Sequence, residues 1–312
     1  MTVKIVILDE VELSAGQRRR LDSLGEVIGY PHGPCDVDEV VARSADADIM
    51  ILGWTALDAE VLQRLPRLRL ISVWATGYDY VDVKAAAERG ITVTNVPAYA
   101  GRAVAELTIG LLLALTRHLI PADRSVREGG YSWRGFEGIE LAGKTLGLVG
   151  VGDIGSEVAR MAAVFGMRVL ACAQTMSGER AGDLGVEFRS LEALLAQSDF
   201  VSLHAPLSSA TEGLIGRREI QVMRPGAYLI NTARAGLVDQ PALAKALQDG
   251  HLAGAALDDI HHPDDRLTSS RVVLTPHIGF YTTEALQRKG DTCIGNVAAF
   301  LHGKPVNVVS VP

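Results

Sequence analysis

Short hydrophobic runs alternate with helical patterns along most of the chain. Stretches rich in Val, Ile and Leu predict strands at VKIVIL, ADIMIL, LRLISV and ITVTNV, and then at KTLGLVG, MRVLACA, DFVSLHA, AYLINTA and LAGAALD. Between them lie segments with apolar residues at helical spacing and a glycine at the end, such as SEVARMAAVFG and QPALAKALQDG. Continuous apolar strands separated by helices are typical of parallel sheets covered on both faces. The pattern therefore predicts the α/β class.

The strand pattern occurs twice, which predicts two doubly wound parallel-sheet domains. A long helical segment, AVAELTIGLLLALTRHL, separates the two sets of strands, and a second one, TTEALQRKGDTCIGNVAAFLHG, lies close to the end of the sequence. We interpret these two helices as the crossings between the domains. The predicted boundaries are 1–98 for a first domain, 99–283 for a second domain inserted in it, and 284–312 for a C-terminal helix that returns to the first.

Composition and charge narrow the choice of partners. The chain has 312 residues, 48% of them hydrophobic, which predicts a globular protein, and a net charge of −7, which disfavours nucleic acid and anionic membranes. The run IGLLLAL is too short to span a bilayer, and MTVKIVILDE lacks the features of a signal peptide. Cys35, Cys172 and Cys293 are too far apart for a disulfide framework or a zinc site. We therefore expect a soluble, cytoplasmic protein.

The segment TLGLVGVGDIGSEVAR carries the strongest chemical motif. Gly150, Gly152 and Gly155 form G-x-G-x-x-G directly after a predicted strand and directly before a predicted helix. In this context the first glycine permits a tight turn, the second admits a pyrophosphate, and the third allows the helix to pack closely on the strand. The N–H groups at the start of the helix, including those of Asp153 and Ile154, then face the phosphates. A purely structural glycine turn is the alternative.

The end of the next strand bears on the choice of cofactor. Dinucleotide folds often have an acid there, about 20 residues after the first glycine, that binds the ribose 2′-hydroxyl. In this sequence the position is Ala173, followed by Gln174 and Thr175, with Arg180 further on. Because no carboxylate repels a 2′-phosphate, we expect NADP, or both NADP and NAD. The alternative is that NAD binds without the acid.

Five motifs in order resemble those of the D-isomer-specific 2-hydroxyacid dehydrogenases, over almost the full length. The similar segments are ATGYDYVDVKAAAERGITVTNVPAYAGRAVAEL, ELAGKTLGLVGVGDIG, DFVSLHAPLSSATEGLI, INTARAGLVDQPALAKAL and LTPHIG. The resemblance implies a Rossmann cofactor domain inserted in a flavodoxin-like substrate domain, and the reduction of a small 2-keto acid such as glyoxylate or hydroxypyruvate. It also implies a homodimer, formed in part by the segment RHLIPADRSVREGGYSW.

The resemblance assigns roles to matching residues. Arg234 in NTARAG matches the arginine that holds the substrate carboxylate and polarises the carbonyl, and His277 in TPHIG matches the acid–base histidine. The loop that captures the carboxylate matches Ala75, Thr76 and Gly77. Beyond the glycine motif and the strand end, the implied cofactor contacts are His204, Ala205, Pro206, Thr211, Thr232, Ala233, Asp258 and Gly279.

The stretch ALDDIHHPDD departs from the family pattern. Relatives usually have a glutamate before the proline, which pairs with the catalytic histidine, and this sequence has His262 there. We predict that His262 replaces the glutamate, although a second imidazole does not favour the charged form of His277 as a carboxylate does. Asp259, Asp264 or Asp265 are alternatives for the missing carboxylate. A metal site at the adjacent His261 and His262 is disfavoured, because neighbouring side chains of an extended segment point apart.

Two further questions stay open in the sequence. Trp74 precedes the carboxylate loop and Tyr99 lies in PAYAG, so both suit either the substrate cleft or core packing. A dinucleotide-binding sensor or corepressor on the same fold is the alternative function, which the retention of Arg234 and His277 disfavours. Formate- and phosphite-type dehydrogenases rank lower, since Thr76 stands where the phosphite enzymes carry a lysine.

Overall fold

The protein divides into two units, each built around its own parallel sheet. The computed structural model describes residues 2–260, 263–267, 269 and 271–310. The first unit comprises Met1–Tyr99 and Thr282–Pro312, and the second comprises Ala100–Tyr281. The boundaries expected from the sequence lay at 98/99 and 283/284. The chain thus passes from one unit to the other immediately before each of the two helices that were interpreted as crossings.

The first unit has a five-stranded sheet in the order β2-β1-β3-β4-β5, with every pair parallel. Its strands are β1 Lys4–Ile7, β2 Glu26–Gly29, β3 Ile49–Leu52, β4 Leu70–Val73 and β5 Thr92–Thr94. Its helices, numbered in chain order, are α1 Ala15–Asp22, α2 Val37–Ser44, α3 Ala59–Gln63, α4 Val83–Glu88 and α12 Thr283–Leu301. This strand order is that of flavodoxin-like folds.

The second unit has a seven-stranded parallel sheet in the order β12-β11-β10-β9-β6-β7-β8. Its strands are β6 Thr145–Val149, β7 Arg168–Cys172, β8 Glu187–Phe188, β9 Phe200–Leu203, β10 Ala227–Asn231, β11 Leu252–Leu257 and β12 Val272–Leu274. Its helices are α5 Gly101–Thr116, α6 Leu119–Arg127, α7 Asp153–Val164, α8 Gly178–Leu184, α9 Leu191–Gln197, α10 Arg217–Val222 and α11 Gln240–Gln248. The order matches the Rossmann fold extended by one strand.

These two sheets confirm the predicted fold class of two doubly wound parallel-sheet domains. Each predicted apolar run coincides with a strand, and its side chains are almost all buried, as in β3 and β4. Hydrophobic clusters lie on both faces of the larger sheet, and another fills the first unit. The sheets therefore hold rigidly the loops that follow their strands, and those loops carry most of the predicted site residues.

The strand order creates one switch point in each sheet, where neighbouring strands connect in opposite directions. Ligands of such folds bind outside the carboxyl ends of the strands at this point. In the second unit it lies between β6 and β9, and in the first between β1 and β3. At these positions a glycine turn follows β6 and a buried carboxylate, Asp9, follows β1.

The helix predicted over residues 103–119 is interrupted in the structure. α5 ends at Thr116, His118 adopts a left-handed conformation with φ of 52°, and α6 then begins at Leu119. Among the described residues no single helix is long and apolar enough to cross a membrane. Taken together, α5 and α6 have the length and composition of a membrane span, but the pair is bent by 62°. Much of α5 is buried within the protein.

Candidate active site

The glycine turn of the second unit has the geometry that its sequence predicts. Gly150 follows β6 with φ of +97°, and a Cβ there would lie 2.7 Å from the carbonyl oxygen of His204. A Cβ on Gly155 would collide with the carbonyl oxygen of Gly150, whereas one on Gly152 would meet no atom within 4 Å. The first and third glycines are thus required by packing. The second glycine, Gly152, has no side chain and so leaves open space beside the backbone of the turn.

This open space lies at the start of α7 and fits a dinucleotide pyrophosphate. Gly152 is the residue before the helix and provides no side-chain cap, so the first N–H groups of the helix, those of Asp153 and Ile154, are available to an anion. A side chain at position 152 would fill the cradle. The residues present therefore fit the phosphates of a nicotinamide dinucleotide.

The end of β7 carries no acidic side chain in the position that usually reads the ribose. Ala173 follows the strand directly, and the exposed Gln174 comes next. Arg180 on α8 hydrogen-bonds the carbonyl oxygen of Val151, which lies within the glycine turn. A guanidinium group therefore lies beside the glycine turn. It belongs to the segment after β7, which the sequence predicts to bind the ribose.

The turn after β9 forms the other side of the switch point. Burial lowers the pKa of His204 to about 4, so its ring is neutral, and its Nε2 lies 2.9 Å from the hydroxyl of Ser202. Further along, the Thr211 hydroxyl donates to the carbonyl oxygen of Pro206 at 2.6 Å. The backbone at Ala205 lies against Gly150. This segment is hydrogen-bonded within itself and carries no charged side chain, which suits contact with the adenosine of a cofactor.

The segment after β10 holds Arg234 in an extended conformation. Asn231 fixes the loop twice, because its amide oxygen accepts from the N–H of Ala233 at 3.0 Å and its amide nitrogen donates to the carbonyl oxygen of Arg234 at 2.7 Å. Thr232 lies 3.0 Å, oxygen to oxygen, from the hydroxyl of Thr108 on α5. The guanidinium group also donates to the carbonyl oxygen of Ala233 at 3.0 Å. The arginine is therefore mounted on a rigid backbone.

His277 sits in a loop that a single buried carboxylate organises. Its φ is +57°, a left-handed conformation that non-glycine residues adopt rarely and that costs energy. Asp258, which is 2% exposed, accepts hydrogen bonds from the Thr275 hydroxyl and from the N–H groups of Ile278 and Gly279 at 2.9 and 2.8 Å. These three bonds stabilise the conformation that presents the histidine.

The neighbouring acid, Asp259, joins the two candidate catalytic residues. Its Oδ1 lies 3.0 Å from Nδ1 of His277, and its Oδ2 accepts a hydrogen bond of 2.9 Å from the N–H of Ala235, next to Arg234. Burial raises the pKa of Asp259, but the hydrogen bonds from His277 and Ala235 and the charge of Arg234 outweigh it and leave that pKa lowered. The carboxylate is therefore ionised at neutral pH and faces the histidine.

This geometry bears on the residue that replaces the family glutamate. Asp259 is one of the aspartates that the sequence offered as alternatives, and it is the carboxylate that contacts His277. His262, the first choice, lies outside the described residues, as does His261. Within the described ranges no group of three or more His, Cys, Asp or Glu side chains is placed to hold a metal ion.

In the first unit the loop after β4 carries residues 75–77. The hydroxyl of Thr76 donates to the carbonyl oxygen of Val96 at 2.7 Å, and the carbonyl oxygen of Thr76 accepts from the side chain of Asn95 at 2.8 Å. The carbonyl oxygen of Ala75 accepts from the N–H of Val96 at 2.9 Å. The carbonyl groups and the Thr76 side chain are thus tied to the segment after β5. The N–H groups are therefore the donors that this loop offers to an anion.

Three structural features were not predicted from the sequence. Asn231 shapes the arginine loop through bonds to Ala233 and Arg234, and the only signal was its place at the start of NTARAG. Asp9 organises the loop after β3, and Lys289 is buried on α12 although its surroundings, QRKGD, are typical of an exposed helix. No local pattern marks Asp9 or Lys289, because their partners come from distant parts of the chain.

Comparisons with known proteins place the chain in a family. Residues 109–279 match the family described as D-isomer specific 2-hydroxyacid dehydrogenase, NAD binding domain. The chain is 40% identical to a glyoxylate reductase of Thermococcus litoralis over 86% of its own length and 84% of the relative's. It is 37% identical to a glycerate dehydrogenase of Methylorubrum extorquens over 99% of both chains.

A solved structure is similar to this chain over almost its whole length. An acyclic imino acid reductase, Bsp5, in complex with NADPH and D-Arg superposes with a TM-score of 0.92 and 32% identity, over 99% of this chain and 100% of that one. The family match covers more than half of the chain, and the similarity to the relatives extends over most of the chain's length. The protein belongs to the D-isomer-specific 2-hydroxyacid dehydrogenase family of oxidoreductases.

Proposed function

We propose that the protein reduces a small 2-keto acid to the D-2-hydroxy acid with a nicotinamide cofactor. The observation that carries this proposal is the pairing of Asp259 with both His277 and the backbone next to Arg234. It arranges a proton donor and a fixed cation within one rigid cluster. The names of the relatives, glyoxylate reductase and glycerate dehydrogenase, support glyoxylate and hydroxypyruvate as first substrates to test.

The chemistry needs a proton on the carbonyl oxygen as hydride reaches the carbonyl carbon. When bound, the nicotinamide supplies the hydride. His277 donates the proton, because its Nδ1 is held by Asp259 and the other ring nitrogen, Nε2, is left for the substrate. In the reverse direction the neutral ring takes the proton back.

The remaining residues bind and orient. Arg234 offers fixed N–H donors to the substrate carboxylate and to the carbonyl oxygen, where negative charge develops. In the first unit, the N–H groups of Thr76 and Gly77 suit the binding of a carboxylate. Asp258 holds the histidine loop, and any oxygen lone pair left after its three bonds can accept from the nicotinamide carboxamide.

The predicted cofactor set divides by place on the dinucleotide. The adenosine and ribose are assigned to Ala173, Gln174 and the turn that contains His204, Ala205, Pro206 and Thr211. The phosphates belong to Gly150, Gly152, Asp153, Ile154 and Gly155, and the nicotinamide to Thr232, Ala233, Asp258 and Gly279. We propose a preference for NADP, supported by Ala173 and the position of Arg180, and consistent with the NADPH bound to the imino acid reductase.

Two statements about context belong to the proposal. We propose a homodimer, supported by apolar side chains exposed on α6 and after it. We also propose a cytoplasmic location, supported by Cys35, Cys172 and Cys293, which are all unpaired, as is typical of proteins from reducing compartments.

Steady-state kinetics with the purified protein test the function. Oxidation of NADPH and of NADH is followed with glyoxylate, hydroxypyruvate and pyruvate, and the same assay is run with Arg234→Gln. We expect turnover with the native protein and a loss of 100-fold or more in kcat/KM for the variant, since removing one charged contact to a developing oxyanion costs about 2.7–4 kcal/mol. Cofactor binding without turnover of any keto acid would favour a sensor.

A further inference from the structure

Hydrogen bonds within the first unit fix the direction of two N–H groups in the loop after β4. Both peptide bonds concerned are trans, and in a planar trans peptide the carbonyl of one residue and the N–H of the next point in opposite directions. The carbonyl oxygen of Ala75 accepts from the N–H of Val96 at 2.9 Å. The carbonyl oxygen of Thr76 accepts from the side-chain amide of Asn95 at 2.8 Å. The N–H groups of Thr76 and Gly77 therefore both face away from the segment that follows β5.

These two donors have the arrangement of an anion site. Among the described residues, no oxygen accepts a hydrogen bond from the N–H of Thr76 or of Gly77. Adjacent backbone N–H groups that face one way form a concavity that binds anions. A carboxylate has two oxygens and so can accept one hydrogen bond from each donor. The direction of each peptide plane thus decides whether the loop offers two donors or one.

The residue that fixes the second peptide plane, Asn95, is itself held by two asparagines. Its N–H donates to the carbonyl oxygen of Asn307 at 3.1 Å, and its carbonyl oxygen accepts from the side-chain amide of Asn296 at 2.8 Å. Oδ1 of Asn296 in turn accepts from Nδ2 of Asn307 at 2.8 Å. We call Asn95, Asn296 and Asn307 the asparagine network.

Each of the two supporting residues suits its place in the asparagine network. Asn296 lies on α12 and is completely buried, so it must satisfy both of its partners, and an amide offers the donor and the acceptor that they need. Asn307 has a left-handed backbone with φ of 52°, which asparagine adopts more readily than most residues. Next to it, Val308 forms an antiparallel bridge with Thr94 of β5. The segment that carries Asn307 is thus held along the edge of the sheet.

Resting on the proposed function, we propose that the asparagine network positions the loop for the carboxylate of the substrate, with Asn95 as the residue that directs the N–H of Gly77. The three asparagines act on the affinity for the 2-keto acid and take no part in hydride or proton transfer. Without the bond from Asn95, the peptide between residues 76 and 77 is free to rotate. One of the two donors is then no longer held toward the carboxylate.

Kinetics of Asn95→Ala in the full-length protein test the proposal. The substitution removes the side-chain bond and keeps both backbone bonds of residue 95. We expect two constants to rise by roughly two- to tenfold, the factor expected of one hydrogen bond. They are the KM for glyoxylate and the inhibition constant of oxamate, which has the same carboxylate but resists reduction. The kcat and the KM for the cofactor should stay close to the native values, because the residues proposed for those roles belong to the second unit.

Asn307→Gly tests whether the effect passes through the network. Glycine adopts the left-handed backbone freely and keeps the carbonyl bond to Asn95, but it removes the amide that donates to Asn296. The KM for glyoxylate should rise again. In the double variant with Asn95→Ala it should rise by less than the product of the two separate factors, because residues of one network are not additive. Ser23→Ala, which removes an exposed side-chain bond to the carbonyl oxygen of Arg20 at the end of α1, is the control and should change neither constant.

Other outcomes separate this proposal from the proposed function. If glyoxylate is reduced but Asn95→Ala leaves both constants unchanged, the network proposal is wrong and the reductase proposal stands. The same holds if kcat falls while both constants stay at their native values, or if the two separate factors multiply in the double variant. If the native protein reduces no 2-keto acid at all, the proposed function fails and the network proposal fails with it.

Discussion

At the scale of single residues, one carboxylate connects the two residues that we propose act on the substrate. Asp259 contacts His277 through one oxygen and the backbone at Ala235 through the other. A carboxyl group with a lowered pKa is ionised throughout the neutral range and loses its charge only as the pH falls through that lowered value. Asp259 therefore keeps its negative charge beside the His277 ring throughout the neutral range.

Asp259→Asn tests this pairing. The substitution keeps the shape and an oxygen for the N–H of Ala235, but it removes the negative charge that faces His277. The native profile of kcat should fall at acidic pH, as the pH drops through the lowered pKa of Asp259, and the variant should lose this dependence. The kcat for reduction should fall by roughly 10- to 100-fold, because a hydrogen bond to a charged group contributes about 1.5–3 kcal/mol. Stopped-flow or steady-state profiles of kcat against pH measure both effects.

The matched control is Asp264→Asn on the same segment. The carboxylate of Asp264 is paired with Arg266, whose hydrogen bonds lower its pKa to about 2. The control should leave the pH profile in place. A profile that responds to His262→Ala and not to Asp259→Asn would instead assign the role to His262, as the sequence first suggested.

The residue scale also shows where sequence reasoning stops. The glycine turn was predictable because its three glycines act within six residues, each for a local steric reason. Asp259 could be offered only as one candidate among several, since its contact with His277 depends on a left-handed backbone 18 residues later. Lys289 gave no signal at all, because the three aromatic rings around it come from three distant loops.

At the scale of elements, the strands missed in the sequence all lie at sheet edges, whereas the remaining edge strand, β5, was predicted. β2, β8 and β12 each lie at the edge of a sheet, and each has two to four residues. An edge strand is often short and only half buried, so its hydrophobic run is weak. The central strands are buried on both faces, and their sequences are correspondingly apolar and easy to identify.

The element most relevant to cofactor choice is the connection from β7 to α8. Ala173→Asp introduces a carboxylate at the end of β7, where it repels a 2′-phosphate and accepts from a ribose hydroxyl. We expect the ratio of kcat/KM for NADPH to that for NADH to fall by at least tenfold, as measured with saturating keto acid. Arg180→Gln should lower the same ratio, since it removes the guanidinium group beside the glycine turn.

A surface arginine provides the control for this measurement. Arg160→Gln on α7 removes one positive charge that pairs with Glu157, and it should leave the NADPH to NADH ratio unchanged. A strong preference of the native protein for NADH would refute the proposed preference for NADP. In that case other contacts would hold the ribose of NAD without the usual acid.

At the scale of the whole molecule, an apolar surface on and after α6 calls for a partner surface. The exposed side chains include Leu119, Ile120 and Val126, and after the helix Tyr131 and Trp133, which are 98% and 83% exposed. Several exposed apolar side chains on one segment of the chain suit an interaction site. The segment is the one that the sequence linked to dimerisation, and a two-fold dimer is the commonest homo-oligomer.

Light scattering coupled to gel filtration tests the assembly at micromolar concentration. The native protein should have about twice the chain mass of 33.2 kDa. Replacing both aromatic residues, Tyr131→Ser with Trp133→Ser, removes two large apolar side chains that are 98% and 83% exposed, so the mass should shift toward the monomer. Val37→Ser, at an exposed apolar position on α2 in the first unit, should leave the dimer intact. A native protein with the monomer mass at this concentration would show that the surface serves another purpose.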